Sequence, residues 1–183
     1  PIRDETIPLT PSVLIQEMRD LEDGPDGEAI LNILRRADGD DDLSKISIHV
    51  AELRRITGLA KVQPVIEQLK DELAGGLKKI VLFAHHKDVI AGLMEGLKEY
   101  SPVTVHGGVS ASARQTAIDS FQNNPETKIF IGQLAAAGTA ITLTAASDVL
   151  IVESSWVPAE NAQAAMRVHR IGQKNSVLIR FVT

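Results

Sequence analysis

Two arginines near the end of the chain, Arg167 and Arg170, are three residues apart in a stretch typical of a helix. On a helix, side chains at this spacing leave the same face. A planar guanidinium group binds phosphate oxygens in pairs, so two of them near a helix end suit a polyphosphate ligand. The spacing fits a surface helix with salt bridges equally well. Spacing alone therefore leaves both interpretations open.

A histidine pair, His85-His86, follows an apolar run and is the other feature that could do chemistry. Adjacent side chains diverge, and no third ligand follows at a useful spacing, so we predict no metal site. A hydrogen-bonding role at the end of a strand is favoured. The chain also lacks a Gly-Lys dipeptide followed by Ser or Thr, and lacks Asp-Glu-x-His. The loop and carboxylate pair that usually hold ATP and magnesium are therefore not encoded here.

Composition limits the possible classes. The 183 residues include no cysteine, which excludes disulfides and thiol catalysis. No apolar stretch reaches the roughly 18 residues needed to span a bilayer, so we expect no membrane partner. The net charge is −5, but 12 acids and only 4 bases lie in residues 1–42. Residues 43–183 are weakly basic, which permits contact with phosphates without predicting it.

The elements that must position these residues change type near Gly75-Gly76. Before it, we predict helices at Leu9–Leu21, Glu28–Ala37, Leu43–Thr57 and Lys61–Leu73, with a break at Gly58 and Pro64 in the first turn of the last helix. After it, short apolar runs alternate with helical patterns. The predicted strands are 79–84, 103–105, 128–132, 149–152 and 177–181, and the predicted helices are 87–100, 110–122 and 159–170.

Strands that are apolar throughout and joined by helices indicate an α/β fold, with a parallel sheet covered by helices on both faces. In such sheets function gathers in the loops at the carboxyl ends of the strands. Here those loops begin at His85, His106, Gln133 and Glu153. We expect two domains, a helical region over 1–75 and a sheet domain over 76–183.

The run from Gln163 to Gln173 reads Gln-Ala-Ala-Met-Arg-Val-His-Arg-Ile-Gly-Gln. It closely resembles the last motif of superfamily 2 helicases in its SWI/SNF-type form. The resemblance implies a RecA-like second lobe in which Arg167 and Arg170 act as arginine fingers on ATP held by a first lobe. It places Gln163 beside the nucleotide as well.

Further stretches resemble the same family in the expected order. Residues 133–146 are similar to the preceding motif, which implies nucleotide contacts for Gly138 and Thr139, although such a small-residue loop is more often a close-packed turn. Trp156-Val157-Pro158 is similar to the Trp-x-Pro that follows, although a single tryptophan is otherwise read as a core anchor. Phe83 to Lys87 is similar to the opening motif of the HARP-like annealing helicases, and Glu153, where many relatives have Asp, points to the same branch.

A turn and helix beginning at His106 is similar to another family motif, with Arg114 at its arginine place. Ser110 is a natural N-cap whose free N–H groups could hold a DNA phosphate, although a simple capped helix is equally consistent. The DNA-contacting residues that the resemblance implies are His85, Gly107, Gly108, Ser110, Arg114, Gln133 and Trp156.

The resemblance predicts the second motor lobe of an ATP-dependent double-stranded-DNA translocase of the remodelling or annealing type. ATP with magnesium would be held mainly by an absent first lobe, so we expect no cofactor and no ATPase activity in this chain alone. Expected partners are double-stranded or forked DNA and the N-terminal RecA-like lobe of the same polypeptide, with the fragment monomeric. We expect a cytoplasmic, bacterial or viral protein, or a nuclear one if eukaryotic. The alternatives are a non-catalytic nucleic-acid-binding or docking module and, less favoured, a small-molecule α/β enzyme.

Overall fold

The computed structural model describes residues 2–5, 16, 19–20, 23–24, 40–135 and 141–183. The chain divides into two compact units. One is Leu9–Ala60, and the other combines Pro1–Pro8 with Lys61–Thr183. The predicted helices at 9–21 and 28–37 lie almost wholly outside the described residues. The larger unit holds the sheet and is the one that positions the candidate site.

A six-stranded sheet, parallel throughout, forms the centre of the larger unit, with strand order β1-β6-β5-β2-β4-β3. This confirms the predicted α/β class. The strands are β1 (Ile2–Glu5), β2 (Ile80–Ala84), β3 (Val103–Val105), β4 (Ile129–Gln133), β5 (Asp148–Ile151) and β6 (Leu178–Val182). Strand β1 was not predicted, because its four residues include three charged ones and form no apolar run.

The core lies on the central strands. All five residues of β2 are buried, as are Ile129, Phe130 and Ile131 of β4. Gly132 allows the close approach of these two strands, since a Cβ there would stand 2.8 Å from the ring of Phe83. Strands buried on both faces need apolar side chains at every position, which is why short continuous apolar runs predicted them well.

Helices connect the strands close to the predicted places. They are α1 (Asp40–Ala74), α2 (Lys87–Gly96), α3 (Ala111–Asn123) and α4 (Pro158–Ala165), with a 3-10 turn at Lys98–Tyr100 after α2. The Oγ of Ser110 accepts a hydrogen bond from the N–H of Ala113, which confirms its prediction as the N-cap of α3. Helix α2 ends earlier than predicted, and Ser101 takes a left-handed conformation after the 3-10 turn.

Helix α1 contradicts the prediction of two helices separated at Gly58. It runs without a break, and Pro64 lies in its interior instead of its first turn. An interior glycine costs about 1 kcal/mol and an interior proline about 3 kcal/mol. Burial of apolar side chains along the same helix, Val65, Leu69 and Leu73 among them, offsets that cost.

The end of α1 coincides with the predicted change at Gly75-Gly76. Gly76 has a φ of +106°, and the N–H of Leu77 donates to the carbonyl of Glu72. A left-handed glycine in this position is a usual way to end a helix. As a domain boundary, the division between residues 75 and 76 stays a prediction.

An ion pair joins α1 to β6. The guanidinium group of Arg180 donates to both carboxylate oxygens of Glu72, with Nη2 to Oε2 at 2.7 Å, and Gln68 donates to the same carboxylate. Burial by itself would raise the pKa of Glu72, but the hydrogen bonds and the charge of Arg180 outweigh it and lower the pKa. The ionised form of Glu72 is therefore the one that the fold stabilises.

We predict that Glu72→Gln lowers the free energy of unfolding by about 1–2 kcal/mol at pH 7, a value reduced for partial exposure of the pair. Because the folded pKa of Glu72 lies below its ordinary 4.5, this contribution is complete above pH 4.5 and is lost as the pH falls through the folded pKa. Urea unfolding at pH 7 and at acid pH measures both values.

The control for this prediction is Glu67→Gln, which changes an exposed carboxylate on the same helix that bonds only to Gln63 among the contacts described. We expect it to be nearly neutral at both pH values. Equal stability of the Glu72→Gln variant and the wild type at pH 7 would contradict the assignment.

Candidate functional site

The two arginines lie after α4, not on it. The helix ends at Ala165, and the next residues form successive turns, with the N–H of Arg167 donating to Ala164 and that of Arg170 to Val168. The prediction of a helix through residue 170, with both arginines on one helical face, is therefore wrong. The carbonyl of Arg167 accepts from the N–H of Leu143 at 2.9 Å, a tertiary contact that replaces helical continuation.

The turns nevertheless bring the two cations together. Arg167 is 9% exposed, and burial, followed by the positive charge of Arg170, lowers its pKa. Arg170 lines an open pocket of about 670 Å³ with Thr142, His169 and Ile171, and its Nη1 lies 3.4 Å from the Oγ1 of Thr142. Arg170 therefore presents a positive charge at an open pocket, with the buried charge of Arg167 nearby, and this arrangement favours the binding of an anion.

A single glutamine side chain holds this segment against the loop before β5. The Nε2 of Gln173 donates to the carbonyls of Thr144, Ala146 and Val168, at 3.3, 2.6 and 3.3 Å. The sequence placed Gln173 at the end of the arginine motif but gave it no role. The geometry shows that it fixes the backbone from which Arg170 projects.

Of the other predicted nucleotide contacts, the structure describes only Gln163. Gly138 and Thr139 lie outside the described residues. Gln163 is exposed on α4, two turns before Arg170. Its contact with a nucleotide stays a prediction.

A second group of predicted residues meets at the carboxyl edge of the sheet. The Nε2 of Gln133 donates to the carbonyl of His85 at 3.0 Å, and its Oε1 accepts from the N–H of Gly107 at 3.2 Å. Nearby, the N–H of Gly108 donates to Nδ1 of His106 at 3.1 Å. One amide side chain thus links the loops that follow β2 and β3 to the end of β4.

Glu153 is a member of this edge that the sequence placed at the start of a strand-end loop and noted as a departure from relatives, without a contact of its own. It is 4% exposed and accepts from the N–H groups of His85 and His86. Its other oxygen lies 2.6 Å from Nδ1 of His86. The predicted strand-end hydrogen bonding of the histidine pair is therefore correct, and a buried carboxylate directly after an apolar strand was the signal for its partner.

Ser110, Arg114 and Trp156 complete the set predicted to contact DNA. Arg114 is half-buried in the first turn of α3, which Ser110 caps. Trp156 is 69% exposed just before α4, so it is a surface residue and not a core anchor. Among the residues that the structure describes, no three His, Asp or Glu side chains gather as metal ligands, and no helix is long and apolar enough to cross a bilayer.

Comparison with known families gives one match over most of the larger unit. Residues 61–172 match the model of the helicase conserved C-terminal domain. The chain is 34% identical over 135 residues to the human DNA annealing helicase and endonuclease ZRANB3, covering 73% of this chain and 12% of that protein. It is 36% identical over 128 residues to a SWI/SNF-related regulator of chromatin, subfamily A-like protein 1, of Xenopus laevis, covering 69% of this chain and 13% of that protein. The chain thus spans about an eighth of these curated relatives.

Solved structures share the fold. The Sulfolobus solfataricus SWI2/SNF2 ATPase core in complex with dsDNA superposes with a TM-score of 0.76 at 24% identity, over 100% of this chain and 40% of that one. The C-terminal domain of the same ATPase gives 0.71 at 20% identity, over 98% and 78%. The RecA-like, SWI/SNF-type second-lobe assignment is confirmed. The human and Xenopus relatives give no support to the expected bacterial or viral origin.

We predict that Gln173→Leu lowers the free energy of unfolding by about 1–2 kcal/mol, because it leaves the carbonyls of Thr144 and Ala146 without the amide donor that they have in the wild type. Urea unfolding followed by circular dichroism measures the change. The control is Gln115→Leu, which removes an exposed amide that bonds to Asp119 one turn away. A Gln173 variant no less stable than this control would show that the amide does not hold the segment.

Proposed function

Because the chain belongs to the helicase conserved C-terminal domain family, we propose that it is the second motor lobe of an ATP-dependent double-stranded-DNA translocase. In this proposal it works with an N-terminal RecA-like lobe of the same polypeptide and remodels or anneals duplex or forked DNA. The observation that carries the proposal is the open pocket lined by Arg170, with the buried Arg167 close enough for the two charges to interact.

The arginine pair fits the phosphates of ATP. Burial and mutual repulsion both oppose the charge of Arg167, and a polyanion relieves the repulsion. Arg170 is the more accessible of the two and lies beside Thr142 on the pocket wall. ATP, with magnesium, supplies the transferable phosphoryl group, and arginine fingers stabilise the charge that develops on it. We propose that Arg170 reaches the nucleotide directly while Arg167 supports it from the buried side.

DNA contact is proposed for the carboxyl edge of the sheet. Phosphates are bound there without sequence preference by backbone N–H groups and cations. The capped start of α3 offers N–H groups at Ser110 with Arg114 one turn on, and the exposed ring of Trp156 offers an apolar surface. The other proposed contacts lie at the carboxyl ends of β2, β4 and β3. They are His85, Gln133, Gly107 and Gly108.

The chain contains no phosphate-binding loop, so in this proposal it hydrolyses no ATP by itself. Residues 1–75 would form a region that leads into the lobe at 76–183, although β1 adds a strand to the sheet of that lobe. The lobe alone is proposed to be a monomer, and a nuclear location follows if the source is eukaryotic.

We predict that Arg170→Ala in the full-length protein lowers DNA-stimulated ATP hydrolysis by about 10³-fold, since one arginine finger contributes on that order. The thermal midpoint should stay within a few degrees of the wild type because Arg170 lies at the pocket edge. Arg167→Ala should abolish turnover too, with a larger loss of stability because Arg167 is buried.

The matched control is Lys98→Ala, which removes an exposed cation that pairs with Glu95 three residues earlier. Lys98 is far in sequence from both arginines. It should leave turnover unchanged. Undiminished hydrolysis in both arginine variants, or a full-length protein with no ATP-binding lobe, would support a non-catalytic module instead.

A further inference from the structure

A buried carboxylate holds the two strand-end loops that flank it. Glu153 follows β5, and its Oε2 accepts from the N–H groups of His85 and His86 at 2.8 and 2.9 Å. Its Oε1 lies 2.6 Å from the imidazole Nδ1 of His86, whose side chain is largely buried. Three hydrogen bonds to one carboxylate fix the backbone of the loop after β2 relative to the end of β5.

The hydrogen bonds continue across the sheet edge from this carboxylate. The carbonyl of His85 accepts from Gln133, and Gln133 accepts from the N–H of Gly107. A continuous chain therefore runs from Glu153 through the loops after β2, β4 and β3. We name it the edge chain: Glu153, His85, His86, Gln133 and Gly107.

A lysine of α1 reaches the carbonyls next to the buried end of the edge chain. The Nζ of Lys61 donates to the carbonyl of Val182 at 2.9 Å and lies 3.5 Å from that of Val152. Burial lowers the pKa of Lys61, and the charge of Glu153 opposes that shift. Three donors on the β2 loop thus hold the carboxylate, and the charge of Lys61 on α1 interacts with it favourably.

Glu153 also begins the segment that leads to the arginines. Ser155 and Asn161 exchange two hydrogen bonds, N–H to Oδ1 at 2.8 Å and Nδ2 to carbonyl at 2.9 Å, and so fix the turn that carries Trp156 onto α4. Past α4, the turns carry Arg167 and Arg170. The residue that anchors the edge chain therefore also begins the segment that carries Trp156 and leads into α4.

We propose that Glu153 is a positioning residue that keeps the DNA-side loops of the edge chain in register with the segment carrying Trp156. It touches neither DNA nor nucleotide and acts through His85, Gln133 and Gly107. This inference rests on the proposed function and deepens it, because it names the group that connects the two surfaces of the lobe.

The sign of the effect separates positioning from simple electrostatics. Removal of a negative charge near a DNA site strengthens phosphate binding if the carboxylate acts only through its field. A positioning role has the opposite effect, because the loops lose their common anchor. Glu153→Ala and Glu153→Gln both remove the charge, but the glutamine keeps an oxygen that can accept from the two backbone N–H groups.

The experiment measures ATP hydrolysis by the full-length protein against duplex-DNA concentration. For Glu153→Ala we expect the DNA concentration at half-maximal stimulation to rise about tenfold, corresponding to the loss of one or two strong hydrogen bonds. Turnover at saturating DNA should fall by less, and Glu153→Gln should lie between Glu153→Ala and the wild type. The double variant with Gln133→Ala should be less impaired than the product of the single effects, since both cut one chain.

The control is Glu126→Ala, an exposed carboxylate in the turn before β4, at the opposite edge of the sheet. It should match the wild type. If Glu153→Ala shows no cooperative unfolding transition, His86→Phe is measured in its place. This variant keeps an aromatic ring but removes the bond from the imidazole to Glu153. We expect the same rise in the DNA concentration at half-maximal stimulation.

The positioning role would be overturned if the DNA concentration at half-maximal stimulation stayed the same or fell in the Glu153→Ala and Glu153→Gln variants. The same holds for His86→Phe where it replaces Glu153→Ala. The proposed function would stay intact. Strictly multiplicative effects of Glu153→Ala and Gln133→Ala would also overturn it. A wild-type protein without any DNA-stimulated hydrolysis would overturn the proposed function and this inference together.

Discussion

Strands β2, β4 and β5 pair in parallel and are buried on both faces. Their backbone groups are satisfied within the sheet, and their side chains are apolar except for Asp148, which begins β5, and Gln133, which ends β4. All carboxyl ends then reach the same edge, where Gln133, His85 and Glu153 meet within hydrogen-bond distance. This constraint places the polar contacts of the carboxyl edge at the strand ends and in the loops that follow them, and it explains why residues far apart in the chain form one continuous network.

The core around the same sheet also supports the segment that carries the arginines. Val168 is buried in the core beneath the turns, and Leu143 donates to the carbonyl of Arg167. The backbone is therefore held on both sides of Arg167, and the cost of bringing it close to Arg170 is met by packing and by the amide of Gln173.

Sequence patterns predicted most elements of the larger unit because apolar runs and capping residues are local features of the sequence. Continuous apolar runs gave β2 to β6 to within two residues, and Ser110 gave the start of α3. The same patterns failed where a tertiary contact replaced a local preference. Helix α1 passes through Gly58 and Pro64 because burial outweighs their cost, and α4 stops at Ala165, five residues before the predicted end. Strand β1 was missed because three of its four residues are charged and form no apolar run.

The sequence by itself determined the fold class, the family and the identity of the residues at the strand ends, since those depend on residue type and order. It also named Arg167 and Arg170, Gln133 and the histidine pair. Only the tertiary structure decided that the arginines meet through turns and not along a helix. It also decided that Glu153 and Gln173 hold the loops in place. Those contacts join residues tens of positions apart, and the hydrogen-bond geometry that creates them exists only once the sheet has brought the loops together.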